Sequence, residues 1–252
     1  MNLIEFVGPP GSGKSFFYKK LKNYLRFKTI KSKSPLDSLL EVFYKKKTTS
    51  NKFKQKLYFI YLKNLKLNSN YIFKKESVNF LKFLNKNTQK KKDFNFIFKK
   101  YQKYLNDSHL PNDFITRMLN NFKINYLGLK FAEKTKDLII SEEGIFQKVY
   151  LNFVSLKNFD HKKNILKILT KITKPKLILY FNLDSNKCIK RARKRKRGFN
   201  YFYKKKFLLK ENNYFNDYIF SYAKKNKIKI MIINPNKEPF FYTKKILRRI
   251  EK

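Results

Sequence analysis

Short apolar runs recur along the chain and alternate with segments of helical periodicity. Four of them have the length and composition of buried β-strands: Asn2–Val7, Asp137–Ser141, Lys176–Leu183 and Ile228–Ile233. A shorter run at Phe27–Ile30 predicts a fifth strand. Strands that alternate with helices are typical of parallel sheets with crossover helices. We therefore expect an α/β fold of three layers, in which a parallel sheet of four or five strands has helices on both faces.

The chain between the first helix and the strand at Asp137 predicts a helical insertion. It is rich in Lys, Asn and aromatic residues, and it carries apolar side chains at helical spacing in the stretches 53–65 and 115–129. Helix starts are indicated by Ser34-Pro35 and Pro111-Asn112, and later by Asp184-Ser185. Because we find no internal repeat, we expect a single domain over residues 1–252 with an insertion at about 35–136.

The charge of the chain is strongly positive. Lys and Arg number 61 against 17 Asp and Glu, which gives a formal net charge of +44. An excess of this sign favours polyanionic partners, because each neutralised phosphate releases counterions. The lysines are spread almost evenly among abundant Asn, Ile, Phe and Tyr, which is also the pattern of a compositional bias. Both interpretations stay open, and incidental nucleic-acid binding at low salt is expected under either.

Cysteine content and hydropathy bear on the compartment. The lone Cys188 allows no internal disulfide, and no apolar run reaches the roughly 18 residues that span a bilayer. The strand predicted at Asn2–Val7 runs directly into a glycine-rich loop and leaves no room for a signal peptide. We expect a cytoplasmic protein without a membrane span, and a homodimer stays open as its oligomeric state.

A glycine-rich loop follows the first predicted strand. Residues 8–15 read GPPGSGKS, which fits the Walker A pattern G-x-x-x-x-G-K-[ST] between a strand and a helix. Gly8, Gly11 and Gly13 would let backbone N–H groups turn inward around a phosphate, and Ser12 lies among them. Lys14 would reach the β- and γ-phosphates and Ser15 would bind Mg²⁺. The motif predicts a P-loop NTPase fold that binds ATP with Mg²⁺.

Two further sets of residues follow predicted strands, where ligands bind in parallel sheets. Glu142 and Glu143 come directly after the strand at Asp137–Ser141. A carboxylate there would order a metal ion or an acceptor hydroxyl, or it would cap the next helix, and these roles are compatible. Asn234, Pro235 and Asn236 follow the last strand and would either line an adenine ring or form an ordinary connection.

A basic run closes the helix that begins at Asp184-Ser185. Arg191 and Arg195 are four residues apart within it, so they share a helix face and could clamp phosphates in a closing lid at about 191–205. The same run would also suit an RNA-binding or nuclear-localisation patch.

These motifs resemble the thymidylate kinase-like branch of P-loop nucleoside and nucleotide kinases, over the first 26 residues and from about 137 to 252. By this resemblance Glu142 matches the family's acid after the strand, whereas Glu143 stands where the family has an Arg. Arg191 and Arg195 take the lid positions, and the loop from Asn234 would contact adenine. The family's acceptor signatures do not occur in the insertion, so the resemblance does not identify an acceptor.

Our leading hypothesis is transfer of the ATP γ-phosphoryl group to a small-molecule acceptor. Lys14, Ser15 with Mg²⁺, and Arg191 or Arg195 would stabilise charge, while Glu142 or Glu143 would order metal or acceptor. Two alternatives stay open. One is a nucleotide-dependent nucleic-acid-binding protein in which the insertion stacks bases, and the other is an ATPase without an acceptor.

Overall fold

A computed structural model describes residues 1–45, 71–105, 112–150, 161–194 and 214–251. These residues form a five-stranded parallel sheet in the order β2-β3-β1-β4-β5. The strands are β1 (Asn2–Val7), β2 (Ser32–Lys33), β3 (Leu138–Ser141), β4 (Leu177–Phe181) and β5 (Lys229–Ile233). The central β1 pairs with β3 from Asn2 opposite Leu138 and with β4 from Ile4 opposite Leu177.

Helices connect the strands and cover both faces of the sheet. They are α1 (Lys14–Phe27), α2 (Pro35–Lys45), α3 (Tyr71–Gln89), α4 (Lys92–Leu105), α5 (Asn112–Ala132), α6 (Ile145–Val149), α7 (His161–Leu169), α8 (Ser185–Lys194), α9 (Phe220–Lys225) and α10 (Pro239–Glu251). A π-helical turn at Phe215–Ile219 leads into α9. The helices α2 to α5 lie between β2 and β3 in the chain, where the sequence predicts a helical insertion.

Two hydrophobic cores lie on opposite faces of the sheet. Phe17, Leu21 and Leu25 of α1 pack with Tyr242 and Ile246 of α10 on one face. On the other face, strand residues including Ile139 and Ile178 pack against α2 to α7 and α9. Since successive strand side chains point to opposite faces, a strand covered on both sides must be apolar throughout, as β1, β3 and β4 nearly are. The three-layer α/β fold with a parallel sheet is therefore confirmed.

The fifth strand predicted at Phe27–Ile30 is wrong, and the strand lies slightly later at Ser32–Lys33. Helix α1 continues through Phe27 and then ends in a turn in which Thr29 has φ 56°. There Ile30 N–H donates to Leu25 O over 2.9 Å. This bond satisfies a carbonyl of the last helical turn, so the apolar Phe27 and Ile30 belong to a helix end instead of a strand.

Two of the predicted helix starts are stabilised by side-chain caps. At α2, Ser34 Oγ accepts from Asp37 N–H over 3.1 Å, while Asp37 Oδ2 accepts from Ser34 N–H over 2.8 Å. At α8, Asp184 Oδ1 accepts from the N–H groups of Asn186 and Lys187. Each cap satisfies backbone donors that have no partner within the helix. The helix predicted at 53–65 lies outside the described residues, as does the lid region beyond residue 194.

Candidate nucleotide and phosphoryl-transfer site

The glycine loop connects the end of β1 to the start of α1, where the sequence predicts it. Gly8, Gly11 and Gly13 all have positive φ, at 145°, 84° and 98°. A Cβ on Gly8 would lie 2.6 Å from Phe181 O, and one on Gly11 would lie 2.5 Å from Cys188 O. Both obstacles are backbone atoms that cannot move aside. The loop therefore needs glycine because it packs directly against the end of β4 and against α8.

Lys14 is almost completely buried at the start of α1. Its ammonium donates to the carbonyls of Gly8 and Pro9, the latter over 2.9 Å. The ammonium is therefore held against the backbone at the start of the glycine loop. Ser12 is also fully buried, and its hydroxyl has no hydrogen-bond partner within the described residues. A buried hydroxyl without a partner is costly, which is consistent with a loop shaped for a ligand.

A pocket of about 300 Å³ opens beside the loop. Its lining residues come from the loop and α1, from the end of β4, from α8 and from the segment after β5: Gly11, Gly13, Phe16, Phe17, Phe181, Arg191, Pro235, Lys237 and Pro239. The size falls within the range of small-molecule sites. Three segments that are far apart in the sequence, and that the sequence analysis considered separately, therefore meet around one cavity.

Arg191 and the loop after β5 are in direct contact. The guanidinium donates from Nη2 to Asn236 Oδ1 over 3.0 Å, although the two residues are 45 positions apart. Two more hydrogen bonds hold this loop in place. Asn234 Oδ1 accepts from Asn236 N–H within the loop, and Asn234 N–H donates to the Tyr242 hydroxyl of α10. Arg191 thus closes one wall of the pocket. Arg195, its predicted companion, lies outside the described residues.

The two predicted carboxylates after β3 differ in their surroundings. Glu143 is exposed and forms an ion pair with Lys148, in which Oε2 and Nζ are 2.8 Å apart. Glu142 is partly buried and acts electrostatically on the hydroxyl of Tyr18, on α1. Of the two, Glu142 interacts with α1, whereas the ion pair of Glu143 is with α6.

Asp37 is a further carboxylate that the sequence analysis missed, and its effect on Tyr18 reveals it. Burial raises the pKa of Tyr18 to about 12, and the negative charges of Asp37 and Glu142 contribute to that rise. Asp37 is nearly buried at the start of α2, where it also caps the helix. The two carboxylates, which belong to different elements, therefore act electrostatically on the same phenol. The Ser-Pro-x-Asp cap was the only sequence signal for Asp37, and it indicates a helix start instead of a site.

Glu5 is the second residue that the sequence analysis missed. It lies in the middle of β1 and is fully buried, and its carboxylate accepts from Ile145 N–H over 2.8 Å and from Phe146 N–H over 3.4 Å. Burial raises the pKa of Glu5 to about 8, although the two backbone donors act in the opposite direction. The sequence did contain a signal for this residue, because Glu5 is a charged residue inside an otherwise apolar strand. Glu is almost never fully buried without partners, so its position predicts a specific contact.

The bonds from Glu5 belong to a larger junction between β1 and α6. Gly144 allows the carboxylate to approach, because a Cβ at this position would lie 2.5 Å from Glu5 Oε2. One turn later, Gln147 Oε1 accepts from Gly8 N–H over 3.2 Å. The segment that follows Glu142 is therefore attached both to the central strand and to the first residue of the glycine loop.

Comparison with solved structures finds similarity to deoxyadenosine kinase from M. mycoides. The structure with the products dCMP and dCDP has a TM-score of 0.48 and 12% identity, over 99% of this chain and 98% of that chain. The structure with dATP has a TM-score of 0.48 and 13% identity over 100% of both chains, and the structure with dCTP has 0.45 and 10% over 99% and 98%. No protein-family model and no curated protein matches the chain.

These neighbours are P-loop nucleoside kinases, and they do not single out the thymidylate kinases that the sequence motifs resemble. At such identities and TM-scores, the likeness says nothing about what this chain binds. No described helix is long and apolar enough to cross a membrane.

Proposed function

We propose that this protein is a P-loop kinase that transfers the γ-phosphoryl group of ATP to a small acceptor bearing a hydroxyl or a phosphate. The observation that carries the proposal is the glycine loop of residues 8–15, which lies between β1 and α1 beside a pocket of about 300 Å³. Three positive-φ glycines and the buried Lys14 ammonium give this loop the shape and charge that a polyphosphate requires.

The pocket suits the base of the nucleotide. Phe16 and Pro235 offer a ring and an apolar side chain, which are surfaces on which a flat heterocycle can pack. Because the pocket adjoins Gly11 and Gly13, a base bound there would direct its phosphates into the loop. Asn234, Pro235 and Asn236 would then contact adenine, as the sequence predicts.

The residues near the loop fit a Mg²⁺ ion that arrives with the nucleotide. Magnesium in such sites is held mostly by phosphate oxygens and water, with one or two protein groups. Ser15 in the first turn of α1 and Glu142 after β3 supply a hydroxyl and a carboxylate. No group of three or more His, Cys, Asp and Glu side chains in the described residues could hold a metal alone. When bound, the ion would neutralise charge on the phosphates.

The acceptor would lie on the α2 side of α1. Glu142 and Asp37 act together on the hydroxyl of Tyr18 at this position. A hydroxyl acceptor needs a carboxylate to orient it and to receive its proton, and either of these groups could do so. The base pocket is lined by a different set of residues, so donor and acceptor would approach the loop from different sides.

The protein's part in the reaction is to position groups and to stabilise charge. As the acceptor oxygen bonds to the γ-phosphorus, the bond to the β,γ-bridging oxygen breaks, and negative charge spreads over the transferred group. Lys14 would exchange its hydrogen bonds to the loop carbonyls for hydrogen bonds to phosphate oxygens. Arg191 would add a second positive charge from the pocket wall. The junction formed by Glu5 and Gln147 would keep Glu142 at a fixed position relative to the loop.

The test is acceptor-dependent ADP release from Mg-ATP, measured with a panel of nucleosides, nucleoside monophosphates and small alcohols. Lys14→Met keeps the length and the apolar stem of the side chain but removes the ammonium. We expect turnover to fall by at least about a hundredfold, because one preorganised charge is worth that much in a transition state. Circular dichroism should show an unchanged fold.

Lys19→Met is the matched control, since Lys19 is exposed on the same helix and lines no part of the pocket. It should retain wild-type turnover. Equal activity of Lys14→Met and wild-type protein would contradict the proposed site. ADP release that no acceptor increases would instead identify an acceptor-free ATPase.

A further inference from the structure

The outer faces of α1 and α10 carry exposed aromatic rings. Phe16, Phe27, Phe240 and Phe241 have exposed fractions of 55%, 79%, 59% and 49%, and in the described part of the chain they are the strongly exposed phenylalanines. The two helices pack side by side, with the rings of Tyr24 and Phe240 5.8 Å apart. We call these four rings, together with the lysines at 20, 28, 237, 244 and 245, the aromatic–lysine face.

Each exposed ring on this face has a lysine ammonium above it. Lys20 lies 5.7 Å from the centre of Phe16, Lys28 lies 5.6 Å from Phe27, and Lys244 lies 5.7 Å from Phe240. Phe241 has two ammonium groups near its centre, those of Lys245 at 4.2 Å and Lys237 at 5.0 Å. Positive charge therefore lies beside each of these rings.

Acidic side chains are few on the two helices that carry this face, although the exposed Glu238 directly follows Lys237. Helix α1 contains no Asp or Glu, and α10 contains only Glu251 at its last position. The ion pairs seen in the described residues join Lys33, Lys130, Lys148 and Lys171 to carboxylates, and all of these lysines belong to other elements. The five lysines of the aromatic–lysine face take no part in these ion pairs, and they are exposed to solvent.

The phenylalanines of this face do not belong to the apolar stripes that pack the two helices onto the sheet. The apolar stripes of the two helices, with Phe17 and Leu21 on α1 and Ile246 on α10, are buried against the sheet. The exposed rings lie outside those stripes, and each has a lysine ammonium over it. A membrane or a protein partner would require contiguous apolar area. Separate rings beside cations match a ligand that presents flat bases and phosphates in alternation.

We propose that the aromatic–lysine face binds single-stranded nucleic acid. The rings of Phe27, Phe240 and Phe241 would stack on bases and the lysines would contact the phosphates between them, as in proteins that bind single strands without sequence preference. Phe16 lines the nucleotide pocket and stays available to the base of ATP. A duplex hides its base faces, so it would be bound more weakly.

The test measures fluorescence anisotropy with a labelled RNA oligonucleotide of about 16 nucleotides, the upper site size of small single-strand binders. The variant Phe27→Leu/Phe241→Leu keeps the apolar character of both exposed side chains but removes the aromatic rings. We expect its affinity at physiological salt to fall by about tenfold or more, since two stacking contacts are lost. Phe16 and Lys237 are left unchanged because they also line the nucleotide pocket.

The matched charge control compares Lys28→Ala/Lys245→Ala with Lys90→Ala/Lys91→Ala. Both pairs remove two exposed lysines, but Lys90 and Lys91 lie in the turn between α3 and α4. We expect the first pair to weaken binding severalfold more than the second. The kinase assay should be unaffected in every variant, because none of these residues lines the pocket or the loop.

Three results would overturn the proposal. Equal losses from the two lysine pairs, with no effect of the leucine substitutions, would show binding through net charge alone. Equally tight binding of a duplex of the same length would exclude base stacking. Binding to vesicles rich in phosphatidylserine that persists in the leucine variant, without binding to RNA, would identify the face as a membrane contact, because leucine inserts into lipid as phenylalanine does.

Discussion

At the scale of single residues, Glu5 is an ionisable group that is fully removed from water. Its carboxyl is buried in the central strand and bonded to two backbone N–H groups of α6. Burial raises its pKa from 4.5 to about 8, so the folded protein holds a proton that the unfolded chain releases at neutral pH. The stability from this proton is complete below pH 4.5 and is lost as pH rises towards 8.

Glu5→Gln should therefore flatten the pH dependence of stability. Chemical denaturation of the wild type should show a free energy of unfolding that falls between pH 5 and 8, by up to about 1.4 kcal/mol per pH unit from this one group. The variant has no proton to release at this position, so its slope should be smaller by that amount. Identical slopes for the two proteins would show that Glu5 does not titrate in this range.

At the scale of elements, α2 and α5 approach each other closely at Gly128. A Cβ added to Gly128 would lie 2.0 Å from Pro35 O and 2.6 Å from Pro35 C. Both atoms belong to the backbone at the first residue of α2, so neither can move without displacing that helix. This contact fixes the start of α2 and with it the position of Asp37 beside Tyr18.

Gly128→Ala should destabilise the fold by about 1–3 kcal/mol, the usual cost of overpacking. Alanine is favoured over glycine in a helix by about 1 kcal/mol, so the sign of the result separates packing from helix propensity. Asn121→Ala, at an exposed site on the same helix, is the control and should change stability by no more than about 0.5 kcal/mol. A more stable Gly128→Ala protein would mean that the two helices do not approach so closely.

At the scale of the whole molecule, the net charge of +44 opposes the compact state. Like charges held together in a folded chain repel one another, and dissolved salt screens that repulsion. The few ion pairs in the described residues cannot balance an excess of this size, because exposed pairs contribute little.

Raising the KCl concentration from about 10 mM to about 500 mM, which shortens the Debye length from about 30 Å to below 8 Å, should raise the Tm. We expect a rise of several degrees, measured by the far-ultraviolet circular dichroism signal. A non-electrolyte at the same osmolality is the control and should give a smaller change. A Tm that falls or stays constant in KCl would show that repulsion does not limit stability.

The sequence alone determined the features that depend on neighbouring residues. The apolar runs at Asn2–Val7 and Asp137–Ser141 predicted strands, and both strands are present. The glycine loop was predicted from residue types at fixed spacing, and it lies between the first strand and its helix. The error at Phe27–Ile30 arose because a helix end with Thr29 at positive φ contains the same apolar residues as a short strand. Local composition did not separate these two conformations.

The tertiary structure decided which distant residues meet. The contact of Arg191 with Asn236, the bonds of Glu5 to α6, and the electrostatic effect of Asp37 and Glu142 on Tyr18 each join segments that are far apart in the sequence. Periodicity shows that a side chain faces a core or solvent, but it does not show which other element lies opposite. The order of the strands and the packing of the helices determine which elements face each other. They therefore also determine which residues form the candidate site and the aromatic–lysine face.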